Sequence, residues 1–157
     1  MDRAKAESLI ISIANFNGVD PDLACAIAEV ESSFNEFAVR YEINWKYVYN
    51  AESFARQSFI SEATEMTLQK CSFGLMQVMG TVARELGFRG NLLELTKPEV
   101  GARFGCLKIK ELMQKYNFQD DLIAAYNSGT PKKGQDGKYT NDIYVKKVRS
   151  AFVNRKF

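Results

Sequence analysis

Apolar residues recur at helical spacing along most of this chain, and glycine, proline and asparagine separate the helical segments. The first helix is predicted over residues 3–16 and ends at Asn17 and Gly18, which are typical of a helix end. The second is predicted over residues 21–34, with Asp20 as its N-cap and Pro21 at its first position. Further helices are predicted over residues 61–70, from 74 onwards, from about 98 to 116, over 120–126 and over 141–154. The chain is therefore predicted to be mainly α-helical.

Residues 37–60 depart from this helical pattern. The stretch between Val39 and Tyr49 is rich in aromatic and β-branched side chains, which favour strands. We predict a small β-hairpin or flap over residues 37–60 beside a helical core. The helix from residue 98 is predicted to be the centre of that core, with Gly101 and Gly105 allowing another helix to approach closely. At 157 residues and 46% hydrophobic content, the chain is predicted to form one domain over residues 1–157.

Glu31 is an acidic residue on the apolar face of the second predicted helix. At helical spacing it shares a stripe with Ala24, Ile27 and Phe34, whereas Glu29 points to nearly the opposite side. A carboxyl group held against apolar side chains has a raised pKa, because burial disfavours its charged form. A raised pKa is what a general acid near neutral pH requires. Taken alone, this segment more often indicates an acid that pairs with an arginine or lysine at the edge of a core.

The residue types that the chain lacks limit the catalytic mechanisms that it can use. There is no histidine, which excludes Ser-His and Cys-His catalysis. The three cysteines, Cys25, Cys71 and Cys106, lack metal-ligand spacing and are predicted to be buried free thiols of a reducing compartment. Carboxylates must therefore carry any acid–base chemistry, and neither a metal nor another cofactor is expected.

The charge of the chain is nearly balanced, with 21 basic and 19 acidic residues and a formal net charge of +2. Nucleic-acid binding is therefore not expected. Residues 143–157 nevertheless contain no acid and five basic residues: Lys146, Lys147, Arg149, Arg155 and Lys156. This basic tail predicts either contact with an anionic envelope surface or a solvated helix face with cations near the helix C-terminus.

Several short motifs follow one another along the chain in a fixed order. They are Glu31-Ser32, Ser72-Phe-Gly-Leu-Met-Gln-Val78, Ala124-Ala-Tyr-Asn-Ser-Gly129 and Tyr144-Val-Lys-Lys-Val148. In order and type they resemble the motifs of the soluble lytic transglycosylase and goose-type lysozyme superfamily, and the resemblance runs over residues 20–148. It implies a lysozyme-like α+β fold with a helical core. It also implies a glycosidase that cleaves the β-1,4 bond between N-acetylmuramic acid and N-acetylglucosamine in peptidoglycan glycan strands.

The resemblance assigns roles to individual residues. Glu31 is expected to be the general acid, with the tyrosines Tyr126 and Tyr144 close to it. The Gly-Leu-Met-Gln segment is expected to line the substrate groove. The residues expected to contact substrate are Ser32, Ser72, Gly74, Met76, Gln77, Tyr126, Asn127 and Tyr144. Leu75 and Val78 are assigned to the core.

The reaction outcome stays open between two alternatives. In a lytic transglycosylase one glutamate acts as acid and base, and the 6-hydroxyl of the substrate attacks to leave a 1,6-anhydro product. In a goose-type muramidase a second carboxylate activates water, at about 6.5–9.5 Å from the acid in an inverting site. The segment over residues 37–71 is long and acidic, as in phage-encoded members of the superfamily, and Glu65 is the candidate second carboxylate. An exposed helix glutamate would give the same pattern.

The N-terminus lacks the apolar core of a secretory signal, so we expect a protein that is made and kept inside a cell. With a single domain and no separate wall-binding domain, this predicts a monomeric phage or prophage endolysin in the host cytoplasm that reaches the periplasm and cell wall through a holin. A virion-associated lysin would look similar. The alternative function is a non-catalytic glycan-binding or structural module on the same fold, which predicts a damaged acid position, whereas Glu31 is intact.

Overall fold

The structure, a computed structural model, describes residues 1–156 and confirms a mainly helical fold with a small sheet. The helices are α1 (Arg3–Asn17), α2 (Pro21–Ser32), α3 (Ala51–Ser58), α4 (Glu62–Gln69), α5 (Gly80–Glu85), α6 (Pro98–Lys115), α7 (Gln119–Ser128) and α8 (Asp142–Lys156), with a 3-10 helix at Leu92–Thr96. The strands are β1 (Val39–Tyr41), β2 (Cys71–Phe73) and β3 (Val78–Met79), which form an antiparallel sheet in the order β1-β2-β3. This arrangement agrees with the predicted lysozyme-like α+β fold.

Helix α2 presents its C-terminal end to the sheet side of the molecule. Asp20 caps its first turn through its side chain, as predicted. The helix ends at Ser32, earlier than predicted, because Ser33 and Phe34 both have positive φ, at 54° and 63°. The chain therefore turns sharply just after Glu31, which lies in the last turn of the helix.

Helix α6 lies at the centre of the core, as predicted, and packs against α1, α2, α7 and β3. Ala102, Cys106 and Ile109 on this helix are fully buried. Gly105 allows the turn that follows β2 to approach closely. The prediction that another helix approaches at this glycine is therefore wrong. A Cβ at Gly105 would lie 2.3 Å from the sulfur of Met76, so that turn is seated directly on the central helix.

Residues 37–60 contain one strand and a helix, so the prediction of a hairpin or flap over this whole range is wrong in its second half. Strand β1 pairs with the distant β2, with Val39 opposite Phe73 and Tyr41 opposite Cys71. Helix α3 then begins after Asn50, which has a φ of 46° and makes no side-chain cap. Asn50 is a residue type that often precedes a helix, but the strand-like aromatic content of the residues before it outweighs this signal in the sequence.

Residues 74–77 form the turn between β2 and β3, and not the start of a helix as predicted. Gly74 and Gln77 both have left-handed backbones, with φ of 71° and 47°. Helix α5 begins only at Gly80. The motif turn, defined here as residues 74–77, is therefore a tight connection within the sheet.

Helix α8 packs against α2 and α7, with Val145 and Val148 buried beneath it. Four of the five basic residues of the predicted tail are paired with acids of the same chain. The pairs are Lys146–Asp142 at 2.6 Å, Arg149–Asp120 at 3.1 Å, Arg155–Glu7 at 3.4 Å and Lys156–Asp20 at 3.8 Å. The tail is a packed helix whose positive charges are mostly paired, so less positive charge is free than the sequence indicates. Contact of the tail with an anionic surface stays a prediction.

The three cysteines are buried free thiols, as predicted. Burial raises the pKa of Cys25 to about 11 and that of Cys106 to about 12, so neither is a thiolate near neutral pH. None of the helices in the described part of the chain has the length and hydropathy that spanning a lipid bilayer requires.

Candidate active site

A groove of about 530 Å³ lies between the end of α2, the loop after β1, and helices α6 and α7. Glu31 lies on its wall. A second depression of about 470 Å³ extends from Glu31 to the start of α8. Glu31, Arg40 and Asn127 line both parts, so the two depressions meet at the carboxylate. This shape suits an extended polymer that passes Glu31.

Another depression, of about 680 Å³, lies between α2 and α8 on the side of α2 that carries Glu29. Glu29 is paired with Arg3 at 2.9 Å, and the arginine side chain is half exposed. A partly exposed carboxylate that is paired with an arginine lacks the apolar surroundings that a general acid requires. The arrangement favours Glu31 over Glu29 as the acid, as the helical projection predicts.

The Glu31 carboxyl is held by Tyr144, whose hydroxyl donates a hydrogen bond of 2.7 Å to Glu31 Oε1. Burial raises the pKa of Glu31 above its usual value, and the bond from Tyr144 and the charges of Lys108 and Arg40 offset only part of this rise. Burial, together with the charge of Glu31, also raises the pKa of Tyr144, so this phenol stays protonated and can donate. The structure thus brings together two residues that lie far apart in the sequence.

Ser32 and Tyr126 hold the motif turn from behind. The Ser32 hydroxyl donates to the carbonyl of Leu75 at 2.7 Å, and the Tyr126 hydroxyl donates to the carbonyl of Met76 at 2.8 Å. The Met76 side chain is fully buried, and a Cβ at Gly74 would lie 2.5 Å from the carbonyl oxygen of Leu95. The structure therefore corrects the expectation that Gly74 and Met76 contact substrate in the groove. Both residues pack the turn against the core, and Ser32 and Tyr126 hold its backbone in place through hydrogen bonds. Leu75 and Val78 are fully buried, as predicted.

Gln77 ties the sheet together beneath the groove. Its side-chain nitrogen donates to the carbonyls of Ala38 at 3.0 Å and Gly74 at 3.1 Å, and its side-chain oxygen accepts from the Ser72 hydroxyl at 2.9 Å. Both Gln77 and Ser72 line the groove but are nearly buried. Their polar groups are engaged within the protein, so they shape the groove floor.

Asn127 is the exposed member of the predicted contact set. Its side-chain oxygen accepts a hydrogen bond of 3.0 Å from the Asn141 amide, which also donates to the carbonyl of Ala124. Asn141 thus fixes the Asn127 side chain at the junction of the two parts of the groove, where an amide is suited to contact a sugar hydroxyl or acetamido group.

Glu65 does not lie in the groove, and the expectation that it activates water is corrected. Its side chain has no exposed surface. Arg84 donates to both of its oxygens, at 2.8 Å and 3.0 Å, and Gln69 donates to one of them at 2.9 Å. A carboxylate enclosed in this way has no access to a nucleophilic water. Glu65 belongs to a buried ion pair between α4 and α5.

Sequence reasoning missed other residues that line the groove, notably Arg40, Glu42, Trp45 and Lys108. Glu42 is the second carboxylate of this groove, and Arg40 donates to it at 2.7 Å. Trp45 supplies an aromatic wall and donates through its indole N–H to Thr81 at 3.3 Å. Of these residues only Lys108 carries a sequence signal, because it is a charged residue next to the apolar arc of α6.

Comparison with known proteins agrees with this geometry. The family model described as the transglycosylase SLT domain matches residues 8–148. The chain belongs to this family. Two curated relatives are called Protein IpgF: the one from Shigella sonnei is 29% identical over 138 residues, covering 85% of this chain and 74% of the relative. The one from Shigella flexneri is 28% identical with the same coverage. No solved structure matches the chain.

Membership of the SLT family supports peptidoglycan-cleaving activity of the lytic transglycosylase type, with peptidoglycan as the substrate, and confirms the family predicted from the motifs. The match spans all four motifs and the groove that they build. Within residues 1–156, no three acidic, cysteine or histidine side chains come together in a way that would hold a metal ion.

Proposed function

We propose that Glu31 is the acid and base of a lytic transglycosylase that cleaves between N-acetylmuramic acid and N-acetylglucosamine. Protonated Glu31 gives its proton to the glycosidic oxygen as the bond to C1 of the muramic acid breaks. The Glu31 carboxylate then takes the proton of the 6-hydroxyl of the same sugar as that oxygen bonds to C1. The product carries a 1,6-anhydro end, no water is consumed, and Glu31 is protonated again.

One observation carries this proposal: the Glu31 carboxyl lies at the junction of the groove, largely desolvated and held by Tyr144 at 2.7 Å. Burial keeps a larger fraction of the group protonated near neutral pH, which an acid needs. The hydrogen bond from Tyr144 stabilises the carboxylate after proton transfer, which a base needs. Both roles are therefore served by one group and its single phenolic partner.

Hydrolysis is the second candidate outcome, and the position of Glu42 is the observation that favours it. Glu42 lines the same groove as Glu31, and its charge raises the pKa of Glu31. In this alternative Glu42 takes a proton from water, and the product carries a reducing muramic acid end. Arg40 donates a hydrogen bond of 2.7 Å to Glu42 Oε1, so this oxygen is not free to accept a proton from water, and we favour the transglycosylase outcome.

The test is mass spectrometry of the fragments released from purified peptidoglycan by the wild type and by the variants Glu31→Gln and Glu42→Gln. Glu29→Gln is the matched control, because Glu29 lies on the same helix and outside the groove. We expect 1,6-anhydro ends from the wild type, from Glu42→Gln and from the control, and no product from Glu31→Gln.

Reducing ends that disappear in Glu42→Gln would establish the hydrolase outcome. Cleavage retained in folded Glu31→Gln would refute the role of Glu31. If the wild type binds peptidoglycan without shortening its strands, the chain is a glycan-binding module and the enzymatic proposal fails.

For the cellular role, we propose a lysis enzyme of a phage or prophage. Expression inside a Gram-negative bacterial host, followed by addition of a membrane-permeabilising agent, tests it. We expect the turbidity of the culture to fall only after permeabilisation, with Glu31→Gln showing no fall. Lysis without permeabilisation would contradict the requirement for a holin.

A further inference from the structure

Lys108 is a cation that reaches the groove from the central helix. It lies in the middle of α6 and is partly buried. Its Nζ donates a hydrogen bond of 2.6 Å to the carbonyl of Tyr126 and lies 4.0 Å from the centre of the Tyr126 ring. A hydrogen bond and a cation–π contact to the same residue hold the ammonium in one place.

The same side chain lines the groove together with Glu31. Burial lowers the pKa of Lys108 to about 8, against the opposing effect of the Glu31 and Glu111 charges, so it remains mostly protonated at neutral pH. In return its charge is one of the influences that lower the pKa of Glu31. The ionisable groups around the two residues are Tyr126 and Tyr144 from α7 and α8, Arg40 and Glu42 from the β1 side, and Glu111 from α6 itself.

We propose that Lys108 is a positioning residue whose fixed ammonium stabilises the Glu31 carboxylate between its two proton transfers. The inference rests on the proposed acid and base role of Glu31. Burial alone would raise the pKa of Glu31 further, and Glu31 would then release its proton less readily. A cation in a poorly solvated site offsets this burial more strongly than it would in water. Lys108 keeps its own proton throughout, so the proton balance of the reaction is unchanged.

The sign of the expected effect follows from the role of Glu31. As a general acid Glu31 works in its protonated form, so activity is lost as the pH rises through its pKa. Removal of the nearby cation raises that pKa. The alkaline limb of kcat/KM should therefore move to higher pH by about one unit, and kcat at the optimum should fall by roughly tenfold because the carboxylate is less stable.

The experiment compares Lys108→Met, Lys108→Arg and the control Lys110→Met. Methionine removes the charge and keeps most of the volume, arginine keeps the charge, and Lys110 is exposed on the same helix and lines no part of the groove. Cleavage of peptidoglycan is measured from pH 4 to 10, and the pKa of Glu31 is measured directly by carbon-13 NMR. We expect Lys108→Met to move both readouts upward, and Lys108→Arg and Lys110→Met to keep the wild-type alkaline limb.

An unchanged Glu31 pKa in folded Lys108→Met, or an upward shift in Lys108→Arg, overturns the proposal. If Lys108→Met does not fold, the arginine variant together with the NMR titration of the wild type between pH 7 and 9 decides it. In the wild type the Glu31 signal should respond as Lys108 loses its proton near pH 8. Loss of cleavage in Glu31→Gln with no effect at Lys108 refutes only this inference, whereas cleavage by Glu31→Gln refutes the proposed function as well.

Discussion

Replacement of Glu65 by glutamine should lower the free energy of unfolding of this protein and leave its cleavage of peptidoglycan intact. Glu65 and Arg84 are both fully buried, and two of the guanidinium nitrogens donate to the carboxylate at 2.8 Å and 3.0 Å. The guanidinium also lies 4.3 Å from the centre of the Phe54 ring and donates to the carbonyls of Phe88 and Gly90. In Glu65→Gln this arginine keeps its charge but loses its only carboxylate partner in the described structure.

Removing one partner of a buried ion pair costs about 3–5 kcal/mol, because the other charge stays desolvated and uncompensated. For a domain of this length each kcal/mol lowers Tm by about 2–4 °C, so we expect a fall of roughly 6–20 °C. The double variant Glu65→Leu with Arg84→Met removes both charges and should recover much of that loss.

Urea and thermal unfolding followed by circular dichroism measure the stability, and muropeptide release per folded molecule measures the activity. Glu62→Gln is the matched control, since Glu62 lies on the same helix and is exposed. A loss below about 1 kcal/mol would refute the reasoning about the buried pair. A fully folded Glu65→Gln that no longer cleaves would restore Glu65 as a catalytic candidate.

Further predictions concern the groove and its support. Tyr144→Phe removes the 2.7 Å bond to Glu31. Because that bond stabilises the carboxylate, kcat should fall about tenfold and the alkaline limb should move to higher pH, and an unchanged pH profile of cleavage would contradict this. Gly105→Ala places a Cβ against the Met76 sulfur, so the free energy of unfolding should fall by about 1–3 kcal/mol in urea titrations, with exposed Ser150→Ala as the control. Ser32→Ala frees the Leu75 carbonyl and should lower stability by about 1–3 kcal/mol and reduce kcat, and an effect on KM alone would indicate direct substrate contact instead.

Much of the helical framework was predictable because its signals are local. Asp20 and Pro21 mark the start of α2, and the apolar stripe places Glu31 on the side of the groove. Residues 71–80 gave no such signal, since all of them are buried and neither a period of two nor a helical period is visible. The positive φ of Gln77 is likewise not readable from a glutamine, so the sequence predicts a helix start where the structure has a turn.

The candidate site was predictable only where motif order carried the information. The contact between Glu31 and Tyr144 spans most of the chain and has no local signature. In the sequence, Glu65 and Glu42 are both glutamates of an acidic segment and cannot be told apart. In the structure, Glu65 pairs with Arg84 in the core, whereas Glu42 pairs with Arg40 at the groove. Pairing of this kind depends on tertiary packing, which composition and periodicity do not encode.

The motif turn is hydrogen-bonded to three separate parts of the chain: to Ser32 on α2, to Tyr126 on α7 and, through its own Gln77, to the carbonyl of Ala38 just before β1. Ser32 and Ala38 precede the turn and Tyr126 follows it, so a fragment must extend well beyond the turn in both directions to contain every anchor. The amide hydrogens of residues 72–79 should therefore exchange with solvent only when the whole molecule opens. A nick or truncation in any of these segments should abolish the groove as a unit, and a reconstituted pair of fragments should regain cleavage only as fast as the complete fold reassembles.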